Sequence, residues 1–205
     1  MSSWMWAVFG FVAGSIPFSV LIGRLALGTD IRRYGDGNPG GSNVMRAGSR
    51  AWGLLAILLD GAKGAVPVGA AYWLGRLGLA PQMGDWSLVA VALAPVVGHV
   101  WSPFLHFRGG KAVAVTFGIW AGLTLWVGPT VLGLLLCFWY ALVAADSWVV
   151  MAMMGSFLAF LIAAGVEPAF FGIWAGNALI LAWTHRRGLG RAPRVRPWLL
   201  KAIHR

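Results

Sequence analysis

From Trp4 onward the chain is a succession of apolar stretches separated by short polar connections. Most lie close to the ~20 residues that carry a helix across a hydrocarbon core. Backbone N–H and C=O groups find no water in that core, so each stretch must satisfy its own hydrogen bonds, as a helix does. Composition leaves no soluble alternative. Only 11% of the residues are charged and 59% are hydrophobic, whereas a soluble domain carries roughly a quarter charged residues. The 13 Trp and 29 Gly agree, because Trp favours the membrane interface and Gly lets spanning helices approach closely. The expected class is all-α, a polytopic membrane protein folded as one transmembrane domain over residues 1–205.

The spans read as Trp4–Leu27 with Pro17 inside, Trp52–Leu74, Ser87–Leu105, two helices within Ala112–Tyr140 separated by Gly128-Pro129, Trp148–Gly165 and Ala169–Trp183. That makes a seven-helix bundle. The N-terminus lacks a basic region and a small-residue cleavage site, so it reads as a retained first helix. With the Gly/Arg-rich 28–50 loop inside, that loop together with Arg24, the 106–111 connection and the 185–205 basic tail holds 14 of the 16 Lys and Arg. The positive-inside rule then sets the N-terminus out and the C-terminus in. It also explains the net charge of +10 without a nucleic acid partner. The halves do not repeat each other, which argues against an inverted-repeat anion transporter.

Three polar segments share the expected inner face. The first is Gly35-Asp36-Gly37-Asn38-Pro39-Gly40-Gly41-Ser42-Asn43-Val44-Met45-Arg46. Its glycines bare backbone N–H groups, and Ser42 can cap a new helix beside an anion. Asn43 and Arg46, three apart, share one face of that helix, and Arg46 suits a bidentate phosphate contact. The second is Arg108-Gly109-Gly110-Lys111, a small nest with two cations, preceded by His99 near the end of its span. The third is Thr184-His185-Arg186-Arg187 through Arg191, where a lipid-headgroup anchor competes with a substrate role. Within the second span Asp60 and Lys63 are spaced to share a helix face, as a structural ion pair would. Cys137 is the single cysteine, which leaves no disulfide or cysteine metal cluster within the chain. No metal or cofactor is expected. Such a convergence suits phosphorylated molecules, with membrane lipids alongside for an acyl chain.

At these residues the chain resembles the bacterial acyl-phosphate:glycerol-3-phosphate acyltransferase family, PlsY. The likeness runs through Gly14-Ser15-Ile16-Pro17-Phe18, Asp30-Ile31-Arg32, Gly37-Asn38-x-Gly40, Asn43-Val44-x-Arg46, Asp60-x-x-Lys63-Gly64, Gly98-His99 and Gly109-Gly110-Lys111-Ala112-Val113-Ala114. It implies a seven-helix bundle in the bacterial plasma (inner) membrane. The implied reaction moves a fatty acyl group from acyl phosphate to the 1-hydroxyl of glycerol 3-phosphate. By resemblance His185, Lys111 and Asn43 are the catalytic residues, and Gly37, Asn38, Gly40, Arg46, His99, Gly109 and Gly110 bind substrate phosphate. Three positions depart from the family pattern. Asp36 stands in a serine position, Ala144-Ala145-Asp146 in the place of a Thr-Arg pair, and Gly188 in an asparagine position. They keep open a second reading, a homologue that binds anions or lipids without turnover.

Overall fold

The structure, a computed structural model, describes residues 1–198. The last part of the expected basic tail, including Lys201 and Arg205, lies outside the described residues. The described residues are all-helical: α1 (Ser3–Ser15), α2 (Phe18–Leu27), α3 (Gly41–Arg46), α4 (Arg50–Arg76), α5 (Asp85–Val100), α6 (Val113–Thr124), α7 (Val127–Leu142), α8 (Asp146–Ala163) and α9 (Pro168–Leu189). Short 3-10 turns at Ile31–Arg33 and Pro103–Leu105 complete them. Among the described residues four helical stretches are long and apolar enough to cross a membrane, Ser3–Leu27, Arg50–Arg76, Asp85–Leu105 and Asp146–Ala163, while α6 and α7 are shorter apolar helices. The protein is a multi-pass membrane protein.

The helix ends differ from the sequence expectation in instructive ways. The first span breaks at Pro17, because proline removes a donor and disfavours α geometry in the residue before it. Ile16 is accordingly extended, with ψ 119°. Its carbonyl accepts from Lys63 Nζ at 2.9 Å, so a polar group bared at the break is satisfied by a neighbouring helix. The expected break at Gly128-Pro129 falls earlier, at Leu125, whose φ is +54°. Gly128 and Pro129 instead enter the first turn of α7, where a missing N–H does no harm. Ser42, expected to cap α3, lies inside it; the cap residue is Gly40. The last helix runs on to Leu189, so His185 is helical rather than the start of a loose tail.

Between lipid-immersed helices the hydrophobic effect is weak, and close packing with buried polar contacts takes over. The contact of α4 with α6 shows it: a Cβ on Gly118 would collide with the Gly61 carbonyl. The apolar core gathers Trp120, Ile119, Leu123, Met153, Phe157 and Ile173, all essentially inaccessible. Trp120 meets Phe157 edge-on, with centroids 4.8 Å apart. Its indole donates to Asn177 at 3.3 Å, and Asn177 in turn donates to Thr116 at 2.9 Å. This closed polar network ties α6 to α9 and orients the helix that carries His185.

Candidate active site

The bundle has two unlike ends. At one, Arg76 closes α4 and pairs with Glu167, the residue just before α9, and also donates to Tyr72. His185 lies 18 positions beyond Glu167, along α9, roughly 27 Å away at 1.5 Å per residue. It is at that far end that the three polar segments come together.

The first segment is latched by its own acids. Asp30 accepts from the Arg32 backbone N–H at 3.0 Å and from its guanidinium at 2.6 Å. The Arg32 hydrogen bonds hold the Asp30 carboxyl well below the usual carboxylate range. Beyond this turn, Asp36 accepts from the backbone N–H of Asn38 at 3.2 Å and from Asn43 Nδ2 at 3.2 Å. Asn43 also donates to the Asn38 carbonyl at 2.9 Å, and its Oδ1 accepts from Arg46 at 2.9 Å. Asn43 and Arg46 therefore do share a face, as their spacing predicts. Gly35, at φ +58°, lies so close under them that a Cβ would strike both side chains. The N–H groups of Gly37 and Gly40 turn inward, to the Tyr34 and Asn38 carbonyls. The glycines thus shape the cradle, and side chains supply the charge.

The second segment meets the first directly: Lys111 Nζ lies 2.6 Å from Asp36 Oδ2, with the two side chains 40% and 44% exposed. Partial burial pushes the Asp36 carboxyl up, but the hydrogen bond from Lys111, those from Asn38 and Asn43, and the lysine charge outweigh it. The net position is below the ordinary carboxylate range. Lys111 is presented by a strained connection, with His106, Phe107 and Ala112 all at positive φ. Such conformations persist only where the surroundings impose them, and they cluster at functional sites. Here the surroundings are His99 and Val100, whose carbonyls accept from Gly110 at 3.1 Å and Gly109 at 2.9 Å. A side chain on Gly110 would run into the His99 ring. Gly109 and Gly110 are held against the end of α5, and His99 is their backing.

His99 itself is buried and faces inward, with Nδ1 unpartnered and 4.0 Å from Asp60. Asp60 belongs to a second polar centre, within the bundle. It pairs with Lys63 at 2.8 Å and accepts from Ser19 at 3.0 Å. The structural ion pair expected from the spacing is present. Ser102 joins the same frame by donating to the Ser15 carbonyl at 2.6 Å. Sequence reasoning assigned Ser19 and Ser102 no part, since lone serines in apolar runs carry no spacing signal.

The third segment docks on the second. Thr184 donates to the Lys111 carbonyl at 3.1 Å. The adjacent His185 is buried and its Nδ1 lies 2.8 Å from the Leu181 carbonyl. A carbonyl only accepts, so this contact calls for the proton on Nδ1, which in the neutral ring leaves the lone pair on Nε2. Three residues on, Gly188 crosses the start of α8 so closely that a Cβ would collide with Ser147 Oγ. Gly188 and Asp146, the residue before Ser147, therefore fall at one helix crossing.

Residues 4–194 match the family model described as glycerol-3-phosphate acyltransferase. The chain belongs to the glycerol-3-phosphate acyltransferase family. It is 40% identical over 181 residues to the glycerol-3-phosphate acyltransferase of Rubrobacter xylanophilus, covering 86% of this chain and 84% of that one. It is 50% identical over 117 residues to that of Anaeromyxobacter dehalogenans, where the aligned stretch spans 57% of either protein. The crystal structure of PlsY, an integral membrane glycerol 3-phosphate acyltransferase in its glycerol 3-phosphate form, superposes with a TM-score of 0.79. It has 28% sequence identity and covers 93% of this chain and 92% of that one. The lysophosphatidic acid form gives 0.78.

Proposed function

We propose that this enzyme transfers a fatty acyl group from acyl phosphate to the 1-hydroxyl of sn-glycerol 3-phosphate, giving lysophosphatidic acid and phosphate. One observation carries the reading: Arg46–Asn43, Lys111 and His185, from three distant stretches, meet at one end of the bundle. In this reading the bundle crosses the bacterial plasma membrane seven times, α1 and α2 counting as one kinked crossing. The N-terminus is outside, and the site opens on the cytoplasm.

The chemistry asks little of the protein. Acyl phosphate is already activated, so the acceptor hydroxyl can attack its carbonyl carbon directly. The new ester C–O bond forms as the bond to phosphate oxygen breaks, and phosphate leaves with the electron pair. The hydroxyl proton passes to His185 Nε2. Arg46 and Lys111 hold the substrate phosphates and offset the growing negative charge, while Asn43 orients them. Gly37, Asn38, Gly40, Gly109 and Gly110 let the ligand approach the backbone, and His99 backs the glycine pair. The acyl chain reaches the site from the lipid around the bundle.

The test is product formation. Purified protein given acyl phosphate and glycerol 3-phosphate should release lysophosphatidic acid and phosphate in equal amounts. His185→Gln should lower kcat more than it raises KM. No product above a heat-killed control would overturn the assignment of the reaction.

A further inference from the structure

We propose that Asp36 is an internal anion that occupies the phosphate cradle of the free enzyme and must be displaced by the phosphorylated substrate. The inference rests on the phosphate-binding reading above and adds to it a self-blocking contact.

The geometry is that of a filled oxyanion site. The Asp36 carboxylate takes a lysine ammonium at 2.6 Å, a side-chain amide at 3.2 Å and a backbone N–H at 3.2 Å. Those are the donor types that grip phosphate. Further groups named for the substrate are drawn into the same contacts: Arg46 donates one of its N–H groups to Asn43, and Asn43 donates to Asn38 and Asp36. In this chain of contacts Asp36 is the one anionic acceptor. A carboxylate left in place beside a bound phosphate would repel it. Either the ligand binds beside an uncompensated like charge, or Asp36 leaves.

Displacement is physically easy. The pair is about two-fifths exposed on each side, and ion pairs of that kind are weak because water competes for both partners. Asp36 lies in a turn between Gly35 at φ +58° and Gly37 at φ +75°, so its flanks are glycines with wide backbone freedom. A phosphate dianion offers Lys111 more charge and more acceptors than the carboxylate it replaces. The exchange trades one anion for another on the same donors. It sets a threshold that weakly charged molecules fail to cross, and Asp36 thereby contributes to specificity.

The experiment is titration calorimetry of glycerol 3-phosphate into the detergent-solubilised full chain, with sulfate as a second probe, for wild type, Asp36→Asn and Asp36→Ser. Removing the carboxylate charge should tighten both ligands about tenfold and lower KM for glycerol 3-phosphate by a like factor, with kcat within about twofold. Unchanged or weaker binding in Asp36→Asn would overturn the proposal, because Asp36 would then not compete with the ligand. Asp36→Ser serves the same purpose if the asparagine variant does not fold. The readout is binding, so it decides this inference even if no protein in the series forms lysophosphatidic acid. That separate failure would strike the assigned reaction alone.

Discussion

The protein contains two Asp–Lys pairs of nearly the same length placed in opposite surroundings. Asp60–Lys63 spans 2.8 Å inside the bundle with both side chains about 4% exposed or less, and Asp36–Lys111 spans 2.6 Å at its end with both about two-fifths exposed. The buried pair is fully engaged: Ser19 donates to Asp60, and Lys63 donates to the carbonyl bared by the Pro17 break. Neither partner has water to fall back on, so the pair fixes α2 and the end of α1 against α4. The outer pair joins two loops in reach of water, with Asp36 steadied only by long contacts from Asn38 and Asn43, and each partner can trade the other for water or ligand. Contact distance is nearly the same; burial decides whether an ion pair is a rivet or a latch.

Breaking the buried pair should have the largest effect. Lys63→Met strands the Asp60 carboxylate and should destabilise the protein by about 3–5 kcal/mol, read as loss of folded protein in a detergent thermal melt. Adding Asp60→Asn, which removes the stranded charge, should recover most of that loss. An undisturbed single variant would erase the distinction between the two pairs. Lys111→Ala, at the outer pair, should leave the melting temperature nearly unchanged while lowering kcat/KM about 100- to 1000-fold, the usual consequence of losing one preorganised charged donor.

A third test concerns the crossing of α8 and α9. Gly188→Ala should destabilise by about 1–3 kcal/mol through overpacking against Ser147, and the double variant with Ser147→Gly should relieve it. If Gly188→Ala is neutral, the two helices are not held at that distance.

The smallest effect is that of acid. The Asp36 carboxyl sits below its ordinary value, so its contribution to stability is present above about pH 4 and lost as pH falls through the lowered folded value. Exposure keeps that contribution under about 1 kcal/mol. The melting temperatures of wild type and Asp36→Asn should therefore differ slightly at neutral pH and converge in strong acid.

Much of this was legible in the sequence because it is written locally. Apolar runs mark the helices, the i,i+3 spacing of Asp60 and Lys63 pairs them, and that of Asn43 and Arg46 sets them on one face. What escaped is non-local or depends on fine backbone geometry. No spacing rule joins Asp36 to Lys111, 75 positions on, or Gly188 to Ser147. Leu125 gives no composition signal for a chain break, since its positive φ follows from where α6 and α7 must pack. The run of α9 past Trp183 was hidden because His185, Arg186 and Arg187 read as a tail leaving the membrane, whereas helical geometry puts His185 against Lys111's own segment.

The most direct measurement of the central claim is a proximity test in a Cys137→Ser background. Cysteines at positions 36 and 111 should be joined rapidly within one chain by a short bis-maleimide. Cysteines at 36 and 76 should not be joined. Failure of the first pair to link, or equal linking of the second, would contradict the convergence on which the site is built.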